Sequence, residues 1–569
     1  MKELSSNRRS LALVTRRHRF CFAGCLLLAA CGSSSDPGAH PSGGAPNAAA
    51  GTGNGSGGSV QPSGGSNAAG GAGPSAGAPS AGDGGGGMGQ AGAASGASGA
   101  FGASGASGQA GAGPVANVSI TPHAIALSAG KAFNVADDFF NDSFIPPSPL
   151  ANFGFQTPII PVVRADGSLD VAWLDYTNGK SQPFALNARG MIYITHIEPG
   201  LDTGTTVATG ISSYRLLGFT SDPSGAFYLA YCADHPLKND TADDPNNVSG
   251  NELKVAKSTS ADFTSKVWDS VVFGDQDNSK DQSKGWPGLG GSGVLGFDVT
   301  NQKLVLYVAH QMMWTDPAPA TIHQAGYFGY FDPATGMQAK PGGNNAAQTG
   351  AGWFYSHNFD QRLLIDKGVS YTLAHGDAYP GRQLGFSAYT LDSYTKKNNT
   401  SFDQSYFKIA GAEGDNKTDT ETGQFIKLDD GRFVIIHTSA QGRTARDVRI
   451  LLANGTTGAM IAGSEAWLTM NTGNIQATMP KVELLGDKLF VSYGLWDSTQ
   501  RTNKKIDWYS LLVDLTLKPL GSAKAVTGIE FVKSAPLFRF TAGPSAGSVG
   551  WVSGNSMHTL SVTVASAAP

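Results

Sequence analysis

The sequence predicts an all-β domain assembled from repeated small sheets, and three observations indicate it. An apolar strand, a short turn rich in Gly, Asp or Asn and a second apolar strand recur seven times, with turns near residues 167, 225, 302, 368, 430, 487 and 547. The spacing between these turns stays close to 60 residues, which is typical of sheets arranged radially. No long amphipathic helical pattern interrupts the strands.

Each repeat begins with a predicted β-hairpin. The seven hairpins cover residues 158–173, 214–231, 294–308, 361–373, 423–436, 481–493 and 536–552. Further apolar runs at 325–331, 448–452 and 508–513 predict four strands in each repeat. The last repeat lacks a fourth strand, and the strand-like segment 118–127 is expected to supply it and close the ring, which removes exposed sheet edges.

This architecture resembles a seven-bladed β-propeller of four-stranded blades over residues 115–569. The resemblance is architectural, because neither a WD dipeptide nor a Kelch glycine pair recurs, and no specific family is identified. It implies that the start of the first strand and the end of the second strand of every blade lie on one shared face.

The first 30 residues are predicted to form an export signal. A basic segment ending in Arg16, Arg17 and Arg19 precedes the apolar run Phe20–Ala30, which is too short to span a bilayer. The run ends in Leu28-Ala29-Ala30-Cys31, which resembles the lipobox of bacterial lipoproteins. That resemblance implies cleavage before Cys31, acylation of its sulfur and amine (palmitate or a similar chain), and anchoring at the outer membrane or cell surface. A plain secretory signal is the alternative.

Residues 31–114 are predicted to form a disordered tether. Positions 32–114 contain 29 glycines and only two charged residues, Asp36 and Asp83, so the segment has almost nothing to bury. Its root-mean-square span as a flexible coil is on the order of 50 Å. The predicted organisation is therefore a signal peptide at 1–30, a tether at 31–114 and a propeller at 115–569.

Charge and cysteine content exclude two classes of protein. Without residues 1–30 the chain carries 34 Lys and Arg against 43 Asp and Glu, so no basic excess favours nucleic acid as a partner. Only Cys232 lies in the predicted domain, which excludes an intrachain disulfide framework and favours a small buried filler.

Polar and aromatic residues follow the second strand in six of the seven repeats. The fourth repeat carries the densest group, with His357 before its first strand and His375, Asp377 and Tyr379 after its second. The other candidates for ligand binding on this face are Trp173, Asp175, His310, Trp314, His437, Trp496 and Asp497. Trp173 and Trp496 could instead cap the core, and a lone histidine at a strand end is more often structural.

Three functions fit such a face. Carbohydrate binding is the first, because aromatic faces pack on sugar rings while Asp and His bond hydroxyls. A polysaccharide lyase or another glycan-active enzyme is the second. In a lyase His357, His375 or Tyr379 would take the C5 proton and Arg382 would neutralise a uronate; the two histidines loosely resemble those of propeller-type lyases. A scaffold that binds a cell-surface protein is the third.

One segment is a candidate calcium loop. Asp275, Asp277, Ser279 and Asp281 place oxygen ligands at alternate positions, although the glycine and glutamate of an EF-hand are missing. A solvated polar loop is the alternative. Histidines 310, 357, 375 and 437 would suit zinc if they converged, although no short ligand spacing supports such a site.

Overall fold

The computed structural model describes fifteen ranges of the chain. These are residues 118–130, 159–175, 190–213, 215–234, 251–273, 286–287, 293–314, 321–339, 356–379, 383–391, 404–408, 420–499, 505–532, 535–556 and 559–567. All of them belong to the second of the two units into which the chain divides, 98–569. The predicted signal, Cys31, the tether, Arg382 and the candidate calcium loop lie outside the described residues. Across the described ranges, no helix is long and apolar enough to cross a bilayer.

The predicted fold is confirmed, with seven antiparallel four-stranded blades in a ring. Blade 1 contains β2 (Ile159–Val163), β3 (Leu169–Asp175), β4 (Gly190–Ile197) and β5 (Gly204–Ser213). Blade 2 contains β6 (Leu216–Ser221), β7 (Phe227–Asp234), β8 (Asn251–Ser258) and β9 (Lys266–Phe273). Blade 3 contains β11 (Gly293–Asp298), β12 (Lys303–Trp314), β13 (Thr321–Phe331) and β14 (Gln338–Ala339), with the short β10 (Trp286–Pro287) paired to β12.

The remaining blades follow the same order from the axis outward. Blade 4 contains β15 (Ser356–Asp366), β16 (Val369–Tyr379), β17 (Gln383–Thr390) and β18 (Gln404–Lys408). Blade 5 contains β19 (Glu421–Lys427), β20 (Phe433–Ser439), β21 (Asp447–Ala453) and β22 (Ala466–Trp467). Blade 6 contains β23 (Ile475–Leu485), β24 (Lys488–Asp497), β25 (Ile506–Val513) and β26 (Lys524–Val526). Blade 7 contains β27 (Phe538–Arg539), β28 (Val549–Ser556), β29 (Thr559–Ala567) and β1 (Val118–Ala126).

All seven predicted hairpin turns contain a residue with positive φ. These residues are Gly167, Gly225, Gln302, Gly368, Gly431, Gly486 and Gly547. Gly167 is also constrained by space, because a Cβ there would lie 2.5 Å from the backbone oxygen of Ala542 in blade 7. A side chain at this position would therefore separate the first and last blades.

The N-terminal strand closes the ring, as the sequence predicted. β1 pairs antiparallel with β29 along its whole length, from Val118 opposite Ala567 to Ala126 opposite Thr559. Pro122 lies within β1, where a residue without a backbone N–H is tolerated because this is the outer edge of the blade. Residues from both ends of the chain therefore build blade 7.

The core consists of seven hydrophobic clusters, and each lies between one blade and the next around the ring. The cluster between blades 7 and 1 combines Ile125 and Val562 with Trp173. The cluster between blades 4 and 5 is aromatic, with Phe386 and Phe433 centred 5.0 Å apart. Because every blade buries both of its faces, the ring is held by apolar burial.

Blades 3 and 4 extend further than the sequence indicated. Their second strands were expected to end at Val308 and Leu373, whereas β12 continues to Trp314 and β16 to Tyr379. The extra length is paired, since the ladder of β12 with β13 runs to Trp314 opposite Thr321. A further bridge between Ala325 and Ser356 joins the two blades into one sheet.

Side chains near the axis tie the first strands of blades 4 to 7 together. Arg362 Nε of blade 4 donates to the carbonyl oxygen of Gly423 in blade 5 (2.9 Å). Gln424 of blade 5 bonds both the N–H and the carbonyl of Leu537 in blade 7, each at 2.9 Å. A glutamine side chain that joins two blades which are not neighbours shows that the ring is narrow at this level.

Candidate functional site

The starts of the first strands and the ends of the second strands lie on one face, which we call the first face. Cross-strand pairs establish this in three successive blades, at Ser356 with Tyr379, Glu421 with Thr438, and Ile475 with Asp497. The hairpin turns between first and second strands lie on the opposite, second face. Every ligand-binding candidate from the sequence falls at or beyond the first-face end of a blade strand.

The fused sheet of blades 3 and 4 sets several candidates in one row on the first face. Backbone pairing runs from Pro287 to His310, from His310 to Ala325, from Ala325 to Ser356 and from Ser356 to Tyr379. His310 and Tyr379, 69 positions apart in the sequence, are thus three strands apart in one sheet. The bridge between the blades creates this row.

His357 and His375 occupy nearby positions of the β15–β16 ladder. His375 pairs with Phe359, two residues after His357, and the register shifts between Ser356 and Asn358. Both histidines lie inside strands, whereas the sequence placed them just outside, because β15 and β16 run further than expected. Asp377 lies in the same part of β16.

A polar row crosses all four strands of blade 5 near the first face. Thr422 pairs with His437, His437 with Arg449, and Arg449 with Trp467. His437 is 1% exposed, and its Nδ1 donates to the carbonyl oxygen of Thr438 (3.0 Å). Burial, together with the charge of Arg449, lowers the pKa of His437 to about 3. This imidazole is therefore neutral and a weak base, unsuited to accept a proton from a substrate.

Trp467, at the outer end of this row, is covered by cations. The guanidinium carbon of Arg443 lies 4.1 Å from the ring centroid and that of Arg449 lies 5.2 Å from it. Arg449 also bonds Gln441 Oε1 (2.6 Å) and the carboxylate of Glu465. These contacts orient a half-buried aromatic ring with hydrogen-bonding groups beside it.

A buried ion pair lies below the first face between blades 5 and 6, and the sequence analysis missed it. Glu421 accepts hydrogen bonds from Thr478 Oγ1 (2.9 Å) and from the Met479 N–H (3.1 Å), and Arg446 lies 3.9 Å away. Arg446 Nε donates to the carbonyl oxygen of Ala477. The available signal was the run of three arginines, with Arg443 and Arg446 in the first-face loop before β21 and Arg449 within β21.

Two candidates in blade 1 need correction. Trp173 is fully buried, stacks on Tyr193 with centroids 4.7 Å apart, and donates its indole N–H to Thr195 Oγ1 (3.0 Å). It is a core residue, as the alternative interpretation held, and offers no surface to a ligand. Asp175 is also buried, at 5% exposed. Both face inward because the neighbouring blades pack on each side of β3.

Trp496 and Asp497 end β24 on the first face and are both half-buried. Asp497 Oδ1 accepts hydrogen bonds from the N–H (2.9 Å) and the hydroxyl (2.7 Å) of Thr499, which fixes the turn that follows the strand. In the loop between blades 5 and 6, Met470 is 60% exposed on the same face. This sector of the first face therefore offers partly and largely exposed side chains.

Among residues with described side chains, no group of three or more His, Cys, Asp or Glu is arranged to hold a metal ion. The candidate calcium residues Asp275, Asp277, Ser279 and Asp281 lie outside those residues, so calcium there remains a prediction. Cys232 is buried between blades 2 and 3, and burial raises the pKa of its thiol to about 12. It is therefore an inert core residue, as expected.

The strand pairing of the described residues defines the chain at the level of its fold, a seven-bladed β-propeller. No family model matches it, and no curated protein matches it. Among solved structures it is similar to an alpha-L-arabinanase from Penicillium chrysogenum, with 14% identity over 46% of this chain and 74% of that one, and a TM-score of 0.32. An alpha-L-arabinofuranosidase from Fusarium graminearum matches with 11% identity over 76% and 98%, and a TM-score of 0.34. Prolyl oligopeptidase B from Galerina marginata matches with 10% identity over 63% and 41%, and a TM-score of 0.30. These likenesses carry no conclusion about ligand or reaction.

Proposed function

We propose that the protein binds a carbohydrate on its first face. The observation that carries this proposal is the shared ladder of blades 3 and 4, in which His310, Ser356 and Tyr379 belong to one row. Sheet backbone fixes this row, so its residues are held at defined spacings. Positions preset on a rigid scaffold lower the ordering cost of binding.

The residue types of this face suit a sugar. Tyrosine and tryptophan provide flat apolar surfaces with a polar edge, and histidine, serine and aspartate exchange hydrogen bonds with hydroxyls. The half-buried Trp467 and Trp496 extend the same chemistry to blades 5 and 6. Arg443, stacked on Trp467, adds a cation that suits acidic sugars.

A panel of neutral and acidic oligosaccharides tested by calorimetry against the purified protein checks the proposal. We expect one class to bind, and the variants His375→Ala and Tyr379→Ala to weaken binding at least about tenfold, the loss of roughly 1.4 kcal/mol. Met470→Ala tests the blade 5–6 sector of the first face. Met337→Ala is the matched control. Met337 is 70% exposed and lies on the second face, in the turn between β13 and β14. Unchanged binding in all three first-face variants, or no binding of any sugar, contradicts the proposal and favours a protein-binding scaffold.

Glycan cleavage by a polysaccharide lyase is the second candidate, supported by the positions of His357 and His375 in one ladder. In that reaction a histidine or Tyr379 removes the C5 proton of a uronate, the leaving sugar oxygen is protonated, and a C4–C5 double bond forms. The absorbance of the unsaturated product measures it. A wild-type protein that binds a uronate oligosaccharide without producing this absorbance is a lectin and not a lyase.

The proposed location is outside the cytoplasm, where acyl chains on Cys31 would hold the protein to a membrane. The supporting observation is the Leu28-Ala29-Ala30-Cys31 sequence after a short apolar run. The glycine-rich tether would let the propeller reach a glycan or a cell-surface partner some distance from the lipid.

A further inference from the structure

Four buried polar atoms at the contact between blades 6 and 7 lack a hydrogen-bond partner among the described residues. They are Ser492 Oγ, Trp551 Nε1, Ser553 Oγ and Thr563 Oγ1, and each of these residues is at most 1% exposed. Leaving such a group unbonded in a protein interior costs about 1–3 kcal/mol. Four of them at one contact indicate a missing hydrogen-bond partner.

Three of the four side chains lie on the side of blade 7 that faces blade 6, and Ser492 lies on the side of blade 6 that faces blade 7. Val552 and Val562 belong to the cluster with blade 1, so the residues that alternate with them, Ser553 and Thr563, lie on the side of blade 7 that faces blade 6. Ser492 lies on the same side of β24 as Phe490, whose ring stacks on Trp551 at 6.0 Å. Ser492 and Ser553 each stand two residues beyond this stack toward the first face.

The side chains next to these two serines are aromatic. Trp551 stacks on Phe490 (6.0 Å between centroids) and on Phe531 (4.6 Å), so rings separate the two blades at the adjacent level. A serine side chain is much shorter than any of these rings, so space for small molecules is expected between the two serines. Water occupies a gap of this kind when two or more polar groups line it.

The polar side of blade 6 continues outward to the rim. Lys481 pairs with Ser492, Ser492 with Ser510, and Ser510 with Lys524, so one polar row crosses all four strands. At the axis end, Lys481 Nζ donates to the carbonyl oxygen of Ala535 in blade 7. We call the space between this row and the facing residues of blade 7 the polar seam.

A surface groove of about 220 Å³ lies at the outer rim between blades 6 and 7. Its lining includes Ser510, Lys524 and Phe490 from blade 6, and Val118 and Ile120 from the closing strand β1. The groove therefore shares Ser510 and Lys524, the outer members of the polar row, with the seam.

We propose that the polar seam is a binding site for a chain of ordered water molecules, which enter through this groove. Water fits the chemistry because the indole N–H of Trp551 only donates, whereas the hydroxyls of Ser492, Ser553 and Thr563 donate or accept. A water molecule that accepts from Trp551 can bond the hydroxyls in turn. The contacts between blades 5 and 6 and between blades 1 and 2 have apolar side chains at most of the corresponding central positions.

A crystal structure of the full chain at high resolution tests the site directly. We expect water oxygens within about 2.6–3.2 Å of Ser492 Oγ, Ser553 Oγ and Trp551 Nε1. Crystals soaked in bromide are the second arm, because a bromide peak at these atoms identifies an anion site and overturns the water assignment. Absence of any density between the two serines overturns the proposal as well.

Thermal unfolding of Ser492→Ala and Ser553→Ala provides an independent test, because the two possibilities predict changes in melting temperature of opposite sign. In a hydrated seam each change removes a bond to water, so the melting temperature falls. In a dry seam each change removes an unbonded hydroxyl, so the melting temperature rises. Ser213→Ala is the matched control for a bonded hydroxyl, since Ser213 Oγ contacts the carbonyl oxygens of Arg215 (2.7 Å) and Cys232 (2.6 Å). A rise in both seam variants contradicts the proposal.

Discussion

At two residues within the blades, burial changes the pKa of a side chain from the value expected for its residue type. His437 looked like a ligand-binding histidine, yet its neighbours on both sides of β20 enclose it and depress its pKa. Glu483, which the sequence analysis did not single out, is half-buried on the first strand of blade 6, and burial raises the pKa of its carboxyl group to about 7. The two groups predict opposite responses to pH.

His437 is expected to make the fold less stable in acid. Its pKa in the folded state, about 3, lies below the ordinary histidine value of 6.5. The stability that depends on a neutral His437 is therefore present above pH 6.5 and is lost as pH falls toward 3, where the unfolded chain binds a proton and the folded chain does not. Urea unfolding of wild type and His437→Gln between pH 7.5 and 4 measures this. We expect the variant to lose less stability over that range; parallel curves contradict the prediction.

Glu483 is expected to act in the other direction. Its folded pKa of about 7 lies above the ordinary value of 4.5, so the folded chain holds a proton there that the unfolded chain has released. The resulting stability is full below pH 4.5 and disappears as pH rises through 7. Glu483→Gln, which stays neutral, should gain stability relative to wild type when urea midpoints at pH 5 and pH 8 are compared. If the difference in urea midpoint between variant and wild type is the same at both pH values, this interpretation is wrong.

At the scale of elements, the closing strand β1 has the clearest structural role. Ile125 is 1% exposed and packs in the cluster between blades 7 and 1, while Thr121 on the same strand is exposed. β1 covers the edge of β29 that would otherwise offer unpaired backbone groups. The ring therefore depends on a segment that comes from the opposite end of the chain.

Replacing Ile125 by alanine should destabilise the ring by about 2–5 kcal/mol, the usual cost of a large-to-small change in a core. Thr121→Ala on the same strand is the matched control and should change stability by no more than about 0.5 kcal/mol. Urea unfolding measures both. Equal midpoints for the two variants would show that β1 is not part of the cooperative fold.

The hairpins were predictable from sequence because each turn residue and the apolar runs beside it are local signals. The predicted turns and the outer strand at 118–127 are found where expected. The lengths of β12 and β16 were not predictable, because polar residues such as His310 and Asp377 are typical of loops. A partner strand that supplies backbone hydrogen bonds overrides that local preference.

At the scale of the molecule, both described ends of the chain leave from the same side. Val118 pairs with Ala567, and the antiparallel order of blade 7 places this pair on the second face, opposite the candidate site. The predicted tether is connected to that end of β1. The attachment point of the tether and the first face are therefore on opposite sides of the propeller.

Replacing Cys31 by alanine should release the protein from the membrane fraction and abolish incorporation of labelled palmitate, because no acyl chain can then be attached. Cys25→Ala, within the predicted signal, is the matched control and should stay acylated and membrane-bound. Membrane fractionation and fatty-acid labelling measure both outcomes. A Cys31→Ala protein that still sediments with the membrane contradicts the lipid anchor.

The repeat, the turns, the four-stranded unit and the single cysteine of the predicted domain could be inferred from sequence, because each follows from composition or from neighbours within a few residues. Which polar residues meet depends on the packing of the blades. Burial on both sides made Trp173 and His437 internal, a bridge between two blades aligned His310 with Tyr379, and packing around Glu421 brought Arg446 beside it. These outcomes depend on contacts between residues far apart in the chain, whose distances a one-dimensional pattern does not contain.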